Sequence, residues 1–172
     1  MVGASDRANE VAVVSQRAAL AGLIGLFVFY AVQTAPMHFF YVALPIVLRD
    51  GGLSLSEIGM TAVIFMPWSL KVFWARAVDR YPLGASMPYR NWVVLTQALA
   101  AATCVALAFV SPVGAFQTML ILATIVALLC ATQDVAVDGW ASAAFGQKRA
   151  TSGGTMQGAG SAAGAVVGGA VM

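Results

Sequence analysis

Charged residues are scarce in this chain. Only 9% of its 172 residues are Asp, Glu, Lys or Arg, whereas 60% are hydrophobic. Soluble domains carry roughly 25% charged and about 45–50% apolar residues, so the composition excludes an ordinary water-soluble fold. The net charge of +2 is also too small and too dispersed for a nucleic-acid surface or a polyanionic partner.

Cysteine, histidine and the short motifs of enzymes are equally sparse. Cys104 and Cys130 each lie alone in a long apolar run, which excludes a disulfide framework and a CxxC metal or redox site. The sequence has no HExxH, no GxSxG, no P-loop and no paired Cys/His set at ligand spacing. It therefore predicts neither an enzyme nor a bound metal or cofactor.

Long stretches with few or no charges are abundant. A transmembrane helix needs about 20 mostly apolar residues, and five stretches meet this length: 18–48, 55–79, 90–110, 115–145 and 150–172. The uncharged run 91–133 would measure about 65 Å as one helix, twice the membrane thickness, so it must turn. The turn signal is Ser111-Pro112-Val113-Gly114. The sequence thus predicts an all-α membrane protein with about five transmembrane helices in 18–172, after a cytoplasmic N-terminal segment 1–17.

Basic residues indicate the orientation, because short cytoplasmic loops are enriched in Lys and Arg. Most basic residues at or beyond the ends of the predicted spans lie on one side of the membrane, and Arg49 lies on the other. Those on the first side are Arg7, Arg17, Arg80, Arg90, Lys148 and Arg149. The N-terminus is therefore predicted to be cytoplasmic. An odd number of spans, the last of which stops without a tail, indicates the front part of a longer protein whose C-terminal part is a partner.

Two acidic residues in the fourth span do not belong in lipid. Asp134 and Asp138 share one helix face beside Gln133. Ionisable groups at such positions normally face a bundle interior or a water-filled cavity, and Gln133 is predicted to line this cavity with them. The helical rise puts Lys71 and Asp138 at matching depths, about 12 and 13 Å inside the helix ends. This predicts an ion pair of Asp138 with Lys71 or Arg76 that joins spans two and four. The deeper Asp134 is the predicted proton carrier, because a carboxylate in a low-dielectric cavity can take up and release a proton.

Polar residues also interrupt the first span, in which Pro36 and Pro45 break the backbone hydrogen bonding. Broken helices are tolerated inside membranes where they line cavities. Gln33, Thr34 and Tyr41 are therefore predicted either to line a cavity or to pack around a kink, and the sequence leaves both open.

The fifth span carries Gly160, Gly164 and Gly168 at helical spacing. Small residues at this spacing let two helix backbones approach closely, so the glycines are predicted to pack against a neighbouring helix. Gln157, near the start of the span, is predicted to line the cavity.

Three stretches carry a resemblance to a known family. They are ALPIVLRDGGLSLSEIG running on to MPWSLKVFWA, the loop ARAVDR, and ATQDVAVDGWA in the fourth span. Together they resemble the major facilitator superfamily, and within it the family that includes the AmpG muropeptide permeases, the RhtX/FptX siderophore transporters and the acetyl-coenzyme A transporters. The resemblance covers 18–172, although Ala75 replaces the usual glycine of the loop signature and Arg76 the frequent proline.

The resemblance implies alternating access, in which two six-helix halves rock around a central cavity. It implies that Asp79 and Arg80 form a cytoplasmic gate, and that Lys71, Asp134 and Asp138 form a buried polar cluster. It further implies proton-driven import of a small or medium-sized solute across a bacterial inner membrane. The wording AVDGWA favours a siderophore, with a muropeptide or an acetyl-coenzyme A-like solute as alternatives.

A second interpretation comes from another class of protein, a non-transporting membrane subunit that serves as a docking scaffold. It accounts for the glycines and the hydrophobicity, but it leaves the deep carboxylates without a purpose.

Overall fold

Helices make up the regular structure in the parts of the chain that the computed structural model describes, residues 4–81, 83–84, 88–145 and 150–170. The predicted all-α fold is confirmed over these ranges. The helices are α1 (Ala4–His38), α2 (Leu44–Asp50), α3 (Leu55–Gly59), α4 (Met66–Leu70), α5 (Val72–Arg80), α6 (Pro88–Ala108), α7 (Phe116–Phe145) and α8 (Ala150–Gly169), with a π-helical segment Phe39–Ala43 and a 3₁₀ segment Met60–Phe65. Lys148 and Arg149, which the orientation argument used, lie outside the described residues.

Within the described ranges, three helical stretches are long and apolar enough to cross a membrane: Val13–Asp50, Tyr89–Ala108 and Phe116–Phe145. A fourth results if Leu55–Leu70 and Val72–Arg80, which meet at a 45° bend, form one span. The chain is thus an integral multi-pass membrane protein. The fifth predicted span is also helical, as α8, but its many glycines and hydroxyl residues leave it outside this apolar set.

The predicted turn between spans three and four is present. α6 ends at Ala108 and α7 begins at Phe116, and the backbone N–H of Gly114 donates to Ser111 Oγ at 3.0 Å. This bond closes the turn within the Ser-Pro-Val-Gly segment.

The two prolines of the first span bracket a widened turn and do not break the helix. Between them the backbone N–H of Leu44 donates to the carbonyl of Phe39, five residues back. The N–H that Pro45 lacks would have bonded Tyr41 in an α-helix, and the chain adapts with one π turn, a feature frequent at functional sites.

The α1–α8 pair is the most closely packed, as the glycine spacing predicts. A methyl group on Gly160, Gly164 or Gly168 would overlap the backbone carbonyl oxygens of Phe27, Ala31 and Ala35, respectively. The sequence offset is the same for all three pairs, so α1 and α8 run parallel with their backbones in contact.

The buried core has two apolar layers. One contains Phe40, Leu44, Leu48, Ile64, Met119, Ala123, Val126 and Cys130, and the other contains Leu26, Val78, Val93, Ala136 and Val137. On α1 and α7, the polar residues Gln33 and Asp134 lie between these two layers, and both are buried. The fold therefore places buried polar side chains between two apolar layers.

Candidate functional site

Asp134 is the most deeply buried acidic residue in the described part of the chain, with 5% of its surface exposed. Its Oδ2 forms an ion pair with Lys71 Nζ, and its Oδ1 accepts a hydrogen bond from Gln33 Nε2 at 2.9 Å. Both carboxylate oxygens are therefore occupied. The contacts connect α7 to α1 and to the bent second span.

The structure pairs Lys71 with Asp134, whereas the matching depths predict Asp138 as its partner. Those depths hold for a straight second span, but the chain bends by 45° at Lys71. The bend and the long lysine stem together let the ammonium group reach the carboxylate one helical turn deeper. Arg76 is exposed on α5, and within the described ranges no ion pair or hydrogen bond forms on its side chain.

Asp138 lies one turn further along α7 and has neutral partners. Its Oδ1 accepts hydrogen bonds from the hydroxyl of Tyr30 at 2.6 Å and from Gln157 Nε2 at 3.0 Å. The residue is exposed, and in the described part of the chain no cation lies within ion-pair distance of it. Asp138 thus joins α1, α7 and α8 through neutral hydrogen-bond donors.

These six residues form what we call the polar cluster: Tyr30, Gln33, Lys71, Asp134, Asp138 and Gln157. It contains two carboxylates and one ammonium group. An uncompensated carboxylate at membrane depth is costly, so the cluster has the capacity to bind a proton or another cation.

Three further residues predicted to line a cavity lie outside the polar cluster: Thr34, Tyr41 and Gln133. Thr34 faces α8, since a Cβ on Gly164 would lie 2.9 Å from its Cβ. Tyr41 is 68% exposed and its ring contacts Phe65 edge-on at 5.8 Å. Gln133 is 1% exposed, and among the described atoms its Nε2 has no hydrogen-bond partner.

Tyr30 is the member of the polar cluster that the sequence analysis missed. It ends the apolar run Leu26–Tyr30 and so resembles an ordinary core aromatic. Its spacing of three residues from Gln33, which puts both on one face of α1, is the signal that could have identified it.

The predicted gate residues lie at the end of α5, where the following loop is tied to α6. Asp79 Oδ1 accepts a hydrogen bond from the hydroxyl of Tyr89 at 3.3 Å, and the indole N–H of Trp92 donates to the carbonyl of Tyr81 at 3.0 Å. Arg80 is exposed. Residues 82 and 85–87 of this loop lie outside the described ranges.

Comparison with known proteins gives one family match that covers most of the chain. The family model described as acetyl-coenzyme A transporter 1 matches residues 23–119 and 110–171. It therefore includes every residue of the polar cluster and both residues of the predicted gate.

Relatives with 28–31% identity come from fungi and bacteria. An uncharacterized protein of Schizosaccharomyces pombe is 31% identical over 67% of this chain and 23% of its own length. Putative transporter AmpG 4 of Rickettsia conorii is 28% identical over 67% of this chain and 29% of its own. The anhydromuropeptide permease of Escherichia coli K12 is 28% identical over 59% of this chain and 22% of its own.

The chain spans less than a third of the length of these curated relatives. No solved structure matches it.

Proposed function

The chain belongs to the acetyl-coenzyme A transporter 1 family, and from this membership we propose that the complete protein is a proton-coupled secondary transporter. It imports a small or medium-sized solute by alternating access. The family description and the names of the Rickettsia conorii and Escherichia coli relatives are those of transport proteins and not of enzymes. The sequence resemblance to this branch of the major facilitator superfamily is thereby confirmed.

The observation that carries proton coupling is the ion pair between the partly exposed Lys71 and the buried Asp134. Protonation of Asp134 removes the charge that holds Lys71, which frees the bent second span from α7. Loss of the proton restores the pair. A group that is charged in one state and neutral in the other can in this way link the proton gradient to a change of conformation.

The named relatives and the family description support two solute classes. Muropeptides are supported by a permease of that name, and an acetyl-coenzyme A-like solute is supported by the family description. The siderophore suggested by AVDGWA has no counterpart in either. We therefore rank a siderophore third among the solutes to be tested.

We further propose that the protein lies in a bacterial inner membrane with its N-terminus in the cytoplasm. Short cytoplasmic segments are enriched in Lys and Arg. Arg17, Arg80 and Arg90 lie at span ends on the same side of the membrane, and Arg49 lies on the opposite side. A C-terminal part supplies the second half of the transporter, in keeping with the much greater length of the relatives.

Uptake by intact cells tests this function. Cells that express the complete gene are given a labelled muropeptide, labelled acetyl-coenzyme A or a labelled ferric siderophore, with and without a protonophore. Protonophore-sensitive uptake of one solute is the expected result. If the protein is inserted in the membrane and none of the three enters, the proposal fails and the scaffold interpretation is favoured.

Replacement of Asp134 with asparagine is expected to abolish gradient-driven uptake while the protein still inserts in the membrane. The amide keeps the size of the side chain, but unlike a carboxylate it does not take up and release a proton at physiological pH. The matched control is Asp50→Asn, which changes an exposed aspartate at the end of α2 and is expected to transport normally. Unchanged uptake by the Asp134→Asn variant contradicts a proton-carrying role for Asp134.

A further inference from the structure

Gly139 directly follows Asp138 on α7, and an aromatic ring from α6 occupies the space of its missing side chain. A Cβ on Gly139 would lie 2.6 Å from Cε1 of Tyr89, 2.9 Å from its Cζ and 3.2 Å from its hydroxyl oxygen. Real Cβ atoms do not approach other atoms this closely, so any other residue at this position displaces the ring. Tyr89 thus contacts the α7 backbone at the residue next to Asp138.

The hydroxyl of the same ring also contacts Asp79, a residue of the predicted gate. The Tyr89 hydroxyl donates to Asp79 Oδ1 at 3.3 Å, at the end of α5. One side chain therefore touches both the predicted gate and the helix that carries both carboxylates of the polar cluster.

The residues that directly follow α5 are bonded to the start of α6. The indole of Trp92 donates to the carbonyl of Tyr81 at 3.0 Å, and the side-chain amide of Asn91 donates to the carbonyl of Leu83. Because of these bonds, we expect the end of α5 and the start of α6 to move together. Tyr89 is the side chain that carries such a movement to the backbone at Gly139.

We propose that Tyr89 is a positioning residue, packed against Gly139, that couples the end of α5 at Asp79 to α7 beside Asp138. The proposal rests on the proposed transport function for its purpose, but the contacts themselves do not. Packing alone needs only a phenyl ring at position 89. The hydroxyl bond to Asp79 is the part of the arrangement that packing does not require, and it makes the coupling separable from the fold.

The first test measures loop opening and needs no transport. The complete protein, purified in detergent, is treated with trypsin, and the rate of cleavage after Arg80 is followed. Tyr89→Phe and Asp79→Ala should each raise this rate about two- to tenfold, the change in an opening equilibrium that one hydrogen bond produces. The double variant should be no faster than either single one, because both changes delete the same bond.

Gly139→Ala tests the seat on α7. It should raise the cleavage rate as well, and Tyr89→Phe should add nothing in that background, because the ring has already left Asp79. The matched control is Gly158→Ala, since a Cβ on Gly158 meets no atom within 4 Å, and it should leave the rate unchanged. If the Gly139→Ala and Tyr89→Phe effects multiply, or if Tyr89→Phe has no effect, the coupling is refuted.

Uptake kinetics supply the readout that a purely structural role leaves unchanged. Tyr89→Phe should lower the maximal rate of uptake and leave the KM for the solute the same, because Tyr89 positions α7 and is not placed against the solute. A raised KM with an unchanged maximal rate refutes a positioning role. Absence of uptake by the unmodified protein would defeat the proposed function, while the trypsin results would still decide whether the loop and α7 are coupled.

Discussion

Replacement of Lys71 with alanine is expected to lower the free energy of unfolding by about 3 kcal/mol. Removal of one partner of a buried ion pair costs about 3–5 kcal/mol, because the remaining charge stays uncompensated. The lower end applies here, since the Lys71 side chain is 31% exposed while that of Asp134 is 7% exposed. The measurement is unfolding of the purified complete protein by SDS titration in mixed micelles.

A double-mutant cycle separates the ion pair from the packing of the two side chains. Lys71→Ala combined with Asp134→Ala should cost less than the two single changes added together, because the double variant buries no lone charge. Arg76→Ala is the matched control, an exposed cation on the next helical turn. It should change the free energy of unfolding by no more than about 0.5 kcal/mol. Additive losses at positions 71 and 134 would mean that the pair contributes no coupling energy.

Replacement of Gly164 with alanine is expected to separate α1 from α8 and to destabilise the protein by about 1–3 kcal/mol, the usual cost of overpacking. The added methyl group would overlap the carbonyl oxygen of Ala31 and would lie 2.9 Å from Cβ of Thr34. Backbone cannot move aside as a flexible side chain can, so the helices must shift. SDS titration gives the loss, and a cysteine cross-link between α1 and α8 would report the separation.

The same exchange at Gly158 gives the opposite sign. Gly158 lies in the same helix with open space around its Cα, and alanine favours a helix over glycine by about 1 kcal/mol. Gly158→Ala is therefore expected to be neutral or stabilising. If both positions respond alike, helix propensity and not contact with α1 determines the effect at Gly164.

The sequence is sufficient to place the acidic residues and the glycines, because both patterns follow the helical period. The spacing of Asp134 and Asp138 puts them on one face, and the spacing of Gly160, Gly164 and Gly168 predicts a tight helix contact. The turn after α6 follows from its proline and glycine. None of these inferences needs to know which helices are neighbours.

The partner of each carboxylate could not be predicted in this way. Whether Lys71 pairs with Asp134 or with Asp138 depends on the 45° bend of the second span. The sequence around Lys71 does not predict the angle of that bend. Asp138 has two partners, Tyr30 and Gln157, which lie on helices far apart in the sequence. Periodicity describes one helix at a time, so contacts between helices lie beyond it.

The contact between Tyr89 and Gly139 illustrates the same limit. Gly139 in a helical stretch has several ordinary explanations, and nothing in the neighbouring residues selects an aromatic ring from a helix 50 residues earlier. The distance between that ring and the missing Cβ becomes available only when the helices are assembled.

The parallel contact between α1 and α8 has a consequence for the synthesis of the protein. α8 is made only after roughly 110 further residues have followed α1, which at about 5–20 residues per second takes on the order of 10 s. During this interval the α1 backbone that will meet the glycines is uncovered, and until α7 has been made Gln33 also lacks its partner Asp134. The nascent first helix must therefore wait in the bilayer, or beside the insertion machinery, as an incomplete surface.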